Sequence, residues 1–170
     1  MKIILFQPQI PQNTGNIVRT CSATRSGLVL VRPLGFSTQS RHLKRAGLDY
    51  WEGVDVEEID DLDAYLETSR SFFFFSSKSK RLYTDANYEA SSLLIFGSET
   101  AGLPPKYGEK WGDRFFTIPM APEARCLNLA NSAAIVLYEA LRQTQFPFRE
   151  KKERIREKQA LMSREEVAGT

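Results

Sequence analysis

The chain has 170 residues, of which 42% are hydrophobic, so it can bury one well-packed core but has little room for a second domain. Its 23 basic and 21 acidic side chains give a formal net charge of +2, which neither predicts nor excludes a polyanionic partner. No apolar run approaches the roughly 20 residues that a membrane helix requires, and we therefore expect a cytoplasmic protein with no membrane partner.

Short apolar runs alternate with helical patterns over most of the chain. Strands are predicted at residues 1–6, 28–31, 72–75, 93–96 and 115–118. Helices are predicted after residue 13 and at residues 40–46, 60–68 and 128–143. This alternation predicts a single α/β domain over residues 1–148. The charged residues 149–170 are expected to form an exposed helix or a partly disordered tail.

The first and the last predicted helices both carry signals at their N-termini. Asn13 and Thr14 are expected to cap the first helix, and residues 26–27 are expected to break it. Arg19, about one turn into this helix, is expected to project away from its apolar stripe. Asn128 is expected to cap the last helix. Taken alone, these residues indicate no more than capped helices and a surface arginine.

Three polar segments lie where an α/β sheet places its ligands, just beyond the ends of strands. They are residues 13–19, 96–104 and 118–128. The chain has neither a GxGxxG turn nor a Walker loop, which argues against a dinucleotide or ATP. Cys126 has no evident paired base, because His42 is the only histidine, so it is better explained as a small packing residue than as a nucleophile. The same shortage of ligands predicts no metal site.

The combination of motifs is more specific than any one of them. The chain contains NTGNIVR at 13–19, FGSETAGLP at 96–104, IPM at 118–120, RCLNL at 125–129 and YEALRQ at 138–143. In this order, the motifs resemble those of the SpoU (TrmH) branch of the SPOUT RNA 2′-O-methyltransferases, over about residues 1–147. The stretches PQIPQNTGN at 8–16 and RAGLDY at 45–50 are most similar to the minimal TrmL or YibK type, the tRNA (cytidine/uridine-34) 2′-O-methyltransferases.

The resemblance implies a fold and a cofactor. The fold is a largely parallel sheet flanked by helices, with a C-terminal trefoil knot, and the cofactor is S-adenosylmethionine, released as S-adenosylhomocysteine. Phe75, Ile118 and Leu127 are expected to enclose the adenine, and Gly97 to allow close approach of the backbone. For Phe75, plain packing in the core is an equally good explanation. Cys126 stands where the family commonly has serine, and we expect it to contact the cofactor through its backbone.

The resemblance also implies catalytic roles. Arg19 is expected to act on the ribose 2′-hydroxyl, as a base helped by a substrate phosphate or by holding that phosphate and stabilising the developing alkoxide. Glu99 is expected to orient Arg19 or to bind near the cofactor. Asn128 is expected to hold the ribose or the third motif segment.

The expected partners are the tRNA anticodon loop and a second copy of the chain in a homodimer. Candidate contacts to tRNA or to the second copy are Arg41, Lys44, Arg45, Tyr138 and Arg142. Another basic cluster comprises Lys78, Lys80 and Arg81. Taken alone, each basic cluster is better explained as an ordinary solvated surface, and for each candidate contact residue that explanation is as good as a functional one.

Two alternatives to wobble-nucleotide methylation stay open. One is 2′-O-methylation at another tRNA position or in ribosomal RNA, although the lack of an accessory domain favours a small exposed target. The other is a catalytically silent, knotted RNA-binding protein, against which the presence of Arg19, Glu99 and Asn128 argues.

Overall fold

Strands and helices alternate along the chain, as its apolar runs predict. The computed structural model describes residues 1–37, 51 and 53–149. The strands are β1 (Lys2–Phe6), β2 (Gly27–Val31), β3 (Val56–Ile59), β4 (Phe72–Phe75), β5 (Leu93–Phe96) and β6 (Phe115–Phe116). The α-helices are α1 (Pro11–Thr24), α2 (Leu62–Glu67), α3 (Pro105–Trp111) and α4 (Leu129–Gln143). Short 3₁₀ turns lie at Tyr83–Asp85 and Gly112–Arg114.

The described strands form one six-stranded sheet in the order β3-β2-β1-β5-β4-β6, and every pairing is parallel. The register aligns the last residues of three neighbouring strands, Phe75 with both Phe96 and Phe116. Because the strands are parallel, the segments that follow β1, β5, β4 and β6 all emerge at one edge. We call this side of the sheet the carboxyl edge.

Helices cover both faces of the sheet, so its central strands are buried. On one face, Ile17, Val18 and Cys21 of α1 and the apolar side of α4 pack against β1 and β2. On the other face, α2 and α3 contribute Leu62, Leu66 and Tyr107 to a second cluster. Strands covered on both faces read as continuous apolar runs, which is why their positions could be predicted.

Phenylalanines of β4 serve both faces. Phe74 lies in the α2 and α3 cluster and stacks on Phe115 with 4.8 Å between ring centroids. Phe75 lies in the α1 and α4 cluster and stacks on Phe96 at 5.0 Å. Aromatic pairs of this kind contribute about 0.5–1.5 kcal/mol beyond the burial of their area. The phenylalanines of β4 therefore stabilise the packing of β5, β4 and β6, the part of the sheet that carries the second and third motif segments.

The prediction that Asn13 and Thr14 cap the first helix is wrong. α1 begins at Pro11. Its N-cap residue is Ile10, whose side chain forms no capping hydrogen bond. Proline at the first position has a φ already suited to a helix and lacks an N–H that would be left without a partner. Asn13 and Thr14 consequently lie in the first turn and are buried. The helix ends at Thr24 with Arg25 in the left-handed conformation (φ 53°), directly before the predicted break at residues 26–27.

Other boundaries differ at the edges of the sheet. The sequence did not predict β3. This edge strand, Val56–Ile59, has two glutamates in its middle and therefore lacks an apolar run. The predicted strand at 115–118 stops at Phe116, because Thr117 instead forms an isolated bridge with Leu82. Phe148 still packs against the core. The predicted helix at 40–46 lies outside the described residues, and so does nearly all of the predicted tail at 149–170.

Candidate functional site

Side chains from the three motif segments meet at the carboxyl edge. Asn13 is only 5% exposed, and its side chain is bonded in two directions. Its Nδ2 donates to Glu99 Oε1 at 2.9 Å, and its Oδ1 accepts from Asn128 Nδ2 at 2.8 Å. These bonds span 86 and 115 residues of sequence. We call Asn13, Glu99 and Asn128 the junction.

Glu99 supplies the N-terminal cap that α1 does not find in its own sequence. Its Oε2 accepts from the backbone N–H of Gln9 at 2.8 Å, and its Oε1 accepts from that of Ile10 at 3.2 Å. A carboxylate at a helix N-terminus satisfies free N–H groups and interacts favourably with the helix dipole. The second motif segment therefore fixes the start of the helix that carries Arg19.

Both polar groups of the Asn128 side chain form hydrogen bonds within the fold. Its Oδ1 accepts from the backbone N–H groups of Ala130 at 2.9 Å and Asn131 at 3.3 Å, which confirms the predicted cap of α4. Its Nδ2 is the group that donates to Asn13. The same side chain thus starts α4 and ties it to α1.

A tight turn presents Glu99 to its partners. Ser98 and Gly102 exchange backbone hydrogen bonds of 3.2 and 2.9 Å, and Gly102 has a φ of +69°. A Cβ on Gly97 would lie 2.2 Å from the carbonyl carbon of Gly102. Glycine at position 97 is therefore required by the turn itself.

Arg19 lies on the exposed side of α1, as predicted. The neighbouring Ile17 and Val18 are fully buried, so packing fixes the rotation of the helix about its axis. Arg19 lies six positions after Asn13, which corresponds to a rise of about 9 Å along the helix. The guanidinium is thus carried by a helix that is anchored at its first turn by the junction.

Residues 118–127 form the least constrained part of the site, and we call them the open segment. One backbone hydrogen bond is formed within it, from Ala124 N to Ala121 O at 2.9 Å. Cys126 is exposed, Leu127 is 37% exposed and Ile118 is half-buried. The open segment therefore offers main-chain donors and acceptors beside apolar side chains.

Two of the remaining predicted residues differ in accessibility. Phe75 is 7% exposed, so it can offer a ligand only a small part of its ring. Tyr138 is 47% exposed on α4. Arg142, one turn further along α4, is exposed and donates two 2.8 Å hydrogen bonds to Glu139, whose carboxyl pKa it lowers. Arg41, Lys44 and Arg45 lie outside the described residues.

Sequence reasoning found the members of the junction but not their connection. The signal that it missed is the buried Asn13, whose amide serves two partners far apart in sequence. Among the described residues, no group of three or more His, Cys, Asp or Glu side chains is placed to hold a metal ion. None of the helices in this part of the chain is long and apolar enough to cross a membrane.

Comparisons with known proteins agree with this arrangement. The family described as SpoU rRNA Methylase matches residues 1–138. A Geobacillus stearothermophilus protein, provisionally named a tRNA (cytidine(34)-2′-O)-methyltransferase, is 48% identical over 151 residues, covering 86% of this chain and 96% of the relative.

Solved structures give the same result. One that concerns 2-OH methylation of C/U34 on tRNA is 40% identical, with a TM-score of 0.79, covering 85% of this chain and 95% of the other. An AdoMet-bound rRNA methyltransferase from Sinorhizobium meliloti is 26% identical, with a TM-score of 0.75, covering 83% of this chain and 55% of the other. The resemblance inferred from the motifs is thereby confirmed, and the chain belongs to the SpoU rRNA methylase family.

Proposed function

We propose that this protein transfers a methyl group from S-adenosylmethionine to the 2′-hydroxyl of nucleotide 34 of tRNA, a cytidine or a modified uridine. The observation that carries the proposal is the junction, which joins all three methyltransferase motif segments at one edge of the sheet. The relative named for cytidine 34 and the structure that concerns C/U34 support the position on tRNA.

The chemistry of the site fits S-adenosylmethionine. An adenosine presents a flat apolar ring with neutral hydrogen-bonding edges, and the open segment supplies apolar side chains and free main-chain groups of both kinds. We infer that Ile118, Leu127 and the backbone of Cys126 hold the adenosine beside the turn at Gly97. The ring of Phe75 supports this site from the core.

When bound, the cofactor supplies an electrophilic methyl group on a sulfonium. The protein must align the acceptor oxygen with that group, exclude water and manage the hydroxyl proton. A guanidinium keeps its proton at neutral pH, so we infer that Arg19 holds a substrate phosphate and stabilises the charge that develops on the ribose oxygen. In this account the phosphate held by Arg19 receives or relays the proton.

Glu99 positions Arg19 through helix α1 in this proposal. Both of its carboxylate oxygens are engaged with the start of α1, through Gln9, Ile10 and Asn13. Displacing the helix by a fraction of an ångström would misalign the guanidinium that it carries. Asn128 acts in the same way by holding the open segment beside α1.

The proposal includes a C-terminal trefoil knot. β4 pairs with both β5 and β6, and the bridge between Leu82 and Thr117 joins the connection after β4 to the chain after β6. These pairings place the loops that follow the three strands side by side, as a knotted cofactor cleft requires.

We further infer that the protein acts as a cytoplasmic homodimer. α4 exposes Ile135 (38%) and Tyr138 (47%), two large side chains one turn apart. A second copy of the chain could cover these two side chains, and twofold symmetry would double the basic surface offered to tRNA. Light scattering combined with an activity assay on serial dilution tests this part: active monomers would contradict it.

The position of methylation is tested with three anticodon stem-loops that differ only at nucleotide 34. We expect labelled methyl transfer from S-adenosylmethionine to the stem-loop with cytidine 34, and none to the same RNA with 2′-deoxycytidine 34 or with 2′-O-methylcytidine 34. Transfer to the deoxy stem-loop at an undiminished rate would move the target to another nucleotide. Mapping of 2′-O-methylation in total tRNA from a deletion strain extends the test to the natural substrate.

Cofactor binding separates the enzyme from a silent RNA-binding protein of the same fold. Isothermal titration with S-adenosylmethionine is expected to show a saturable site that is retained in Arg19→Ala. Absence of saturable binding at millimolar cofactor would leave only the RNA-binding alternative.

A further inference from the structure

Residues 76–82 form a basic loop at the carboxyl edge, outside the three motif segments. The loop follows β4, whose neighbours in the sheet are β5 and β6. It therefore emerges between the turn at Gly97 and the open segment. It contains Lys78, Lys80 and Arg81, and all three side chains are exposed.

The basic loop is held rigidly although it has no regular structure. Ser76 N donates to Phe116 O at 2.9 Å, Ser79 Oγ donates to Phe115 O at 2.7 Å, and Thr117 N donates to Arg81 O at 2.7 Å. Both ends and the middle of the loop are thus fastened to β6 and its continuation. A ligand that binds such a loop does not have to order it first.

The three cations of the loop differ in their availability. Arg81 is committed to the fold, because its guanidinium lies 4.6 Å from the centroid of the Phe116 ring and donates to the backbone oxygen of Asp113. Neither Lys78 nor Lys80 forms a salt bridge within the described part of the chain. Both ammonium groups are therefore available to an anion.

Another pair of exposed lysines, by contrast, does form salt bridges. Lys106 and Lys110 both contact Asp63, at 2.5 and 3.4 Å. The hydrogen bond from Lys106 is the main reason that the pKa of Asp63 is lowered. One carboxylate therefore serves two lysines on α3, whereas the lysines of the basic loop face solvent at the edge where the substrate must enter.

We propose that Lys78 and Lys80 bind the phosphodiester backbone of the RNA strand next to the modified nucleotide. This inference rests on the proposed function. Two residues of extended chain span at most about 7 Å, which suits successive phosphates of one strand. Lysine binds phosphate as a point charge without base preference, so the contact positions the strand and leaves the choice of base to other residues.

The salt dependence of RNA binding tests the basic loop. We compare Lys78→Gln/Lys80→Gln with the wild type, using an anticodon stem-loop at several salt concentrations. Each lost single-strand phosphate contact should reduce the slope of log K against log[salt] by about 0.7, and affinity near 0.1 M salt should fall about tenfold. The value of kcat at saturating RNA and the affinity for S-adenosylmethionine should stay within twofold of the wild-type values.

The matched control is Arg25→Gln/Arg70→Gln. It removes the same charge from two exposed positions, just before β2 and β4, at the opposite edge of the sheet. We expect this control to keep the wild-type slope.

Three outcomes would overturn the proposal for the basic loop. Equal slopes in the lysine variant and the control would show that the loop lysines make no phosphate contact beyond the effect of net charge. A loss of S-adenosylmethionine affinity in the lysine variant would assign the lysines to the cofactor. A wild-type protein that methylates no tRNA would remove the proposed function, and the role of the basic loop with it.

Discussion

The junction and the open segment lie side by side at the carboxyl edge, but they are built in opposite ways. In the junction, Asn13 is buried and each side-chain oxygen or amide group has a defined partner. In the open segment, nearly every residue is exposed and one backbone hydrogen bond is formed internally. The difference separates two tasks: the junction fixes geometry, and the open segment keeps its hydrogen-bonding groups for a ligand.

This separation has an energetic reason. A buried amide without a partner costs about 1–3 kcal/mol, so the junction has to be complete before any ligand arrives. Exposed main-chain groups are satisfied by water and can exchange water for ligand at little net cost. The comparison therefore predicts large effects on rate from changes at the junction or on the helix that it holds, and small effects from conservative changes in the open segment.

The two cysteines extend the contrast, because Cys21 lies on the helix that the junction holds and Cys126 lies in the open segment. Cys21 lies on the buried face of α1, and burial raises its thiol pKa to about 12, so very little of it is the reactive thiolate at pH 8. Cys126 is exposed in the open segment. We expect a thiol reagent to modify one cysteine per native chain, with Cys126 reacting more than a thousandfold faster.

The labelling experiment also locates the cofactor. In the native protein, S-adenosylmethionine at saturating concentration should slow modification of Cys126. The denatured protein should show two reactive thiols. Cys126→Ser serves as the control and should show no fast-reacting thiol. Rapid labelling of Cys126 that the cofactor does not slow would place the cofactor away from the open segment.

The next largest effect is expected at Arg19. Arg19→Ala should lower kcat at least about a hundredfold, because both the phosphate anchor and the charge that stabilises the ribose oxygen are lost. Arg19→Lys should rescue poorly, since an ammonium cannot reproduce the planar fork of a guanidinium. Single-turnover methylation of a stem-loop measures the loss, and titration of S-adenosylmethionine should be nearly unchanged. Near wild-type turnover in the alanine variant would remove Arg19 from the mechanism.

A smaller effect is expected at Glu99. Glu99→Gln places an amide where a carboxylate accepts from Gln9, Ile10 and Asn13, so kcat should fall about tenfold and the free energy of unfolding by about 1–3 kcal/mol. If Glu99 acts only by positioning Arg19, the double variant with Arg19→Ala should be no slower than Arg19→Ala alone.

The matched control for Glu99→Gln is Glu109→Gln, which changes an exposed residue of α3. Additive losses of rate would give Glu99 a role of its own in the chemistry.

The sequence predicted the central strands and the residues of the junction, for a physical reason. Strands buried on both faces consist of apolar runs such as residues 28–31 and 93–96, which need no knowledge of distant contacts to be found. The edge strand Val56–Ile59 has no such run and was missed. Local rules also assigned Asn13 to capping its own helix, because only the fold shows that Glu99 performs that task from 89 and 90 residues away.

The smallest effect is expected from Cys126→Ser, which introduces the serine that the motif resemblance leads us to expect at this position. The side chain is exposed and forms no hydrogen bond in the described structure, so the exchange of sulfur for oxygen disturbs no packing or bonding partner. We infer that the backbone of residue 126 makes the contact with the cofactor, and a backbone contact is indifferent to this substitution.

The variant should therefore keep kcat and the affinity for S-adenosylmethionine within a few fold of the wild-type values, measured by single-turnover methylation and isothermal titration. Cys126→Pro is the informative partner change, because proline removes the backbone N–H and fixes φ while leaving a small apolar side chain. It should weaken cofactor binding while Cys126→Ser does not. A loss above about a hundredfold in the serine variant, equivalent to about 2.7 kcal/mol, would show instead that the thiol itself is required, and the open segment would then hold a reactive group and not only a binding surface.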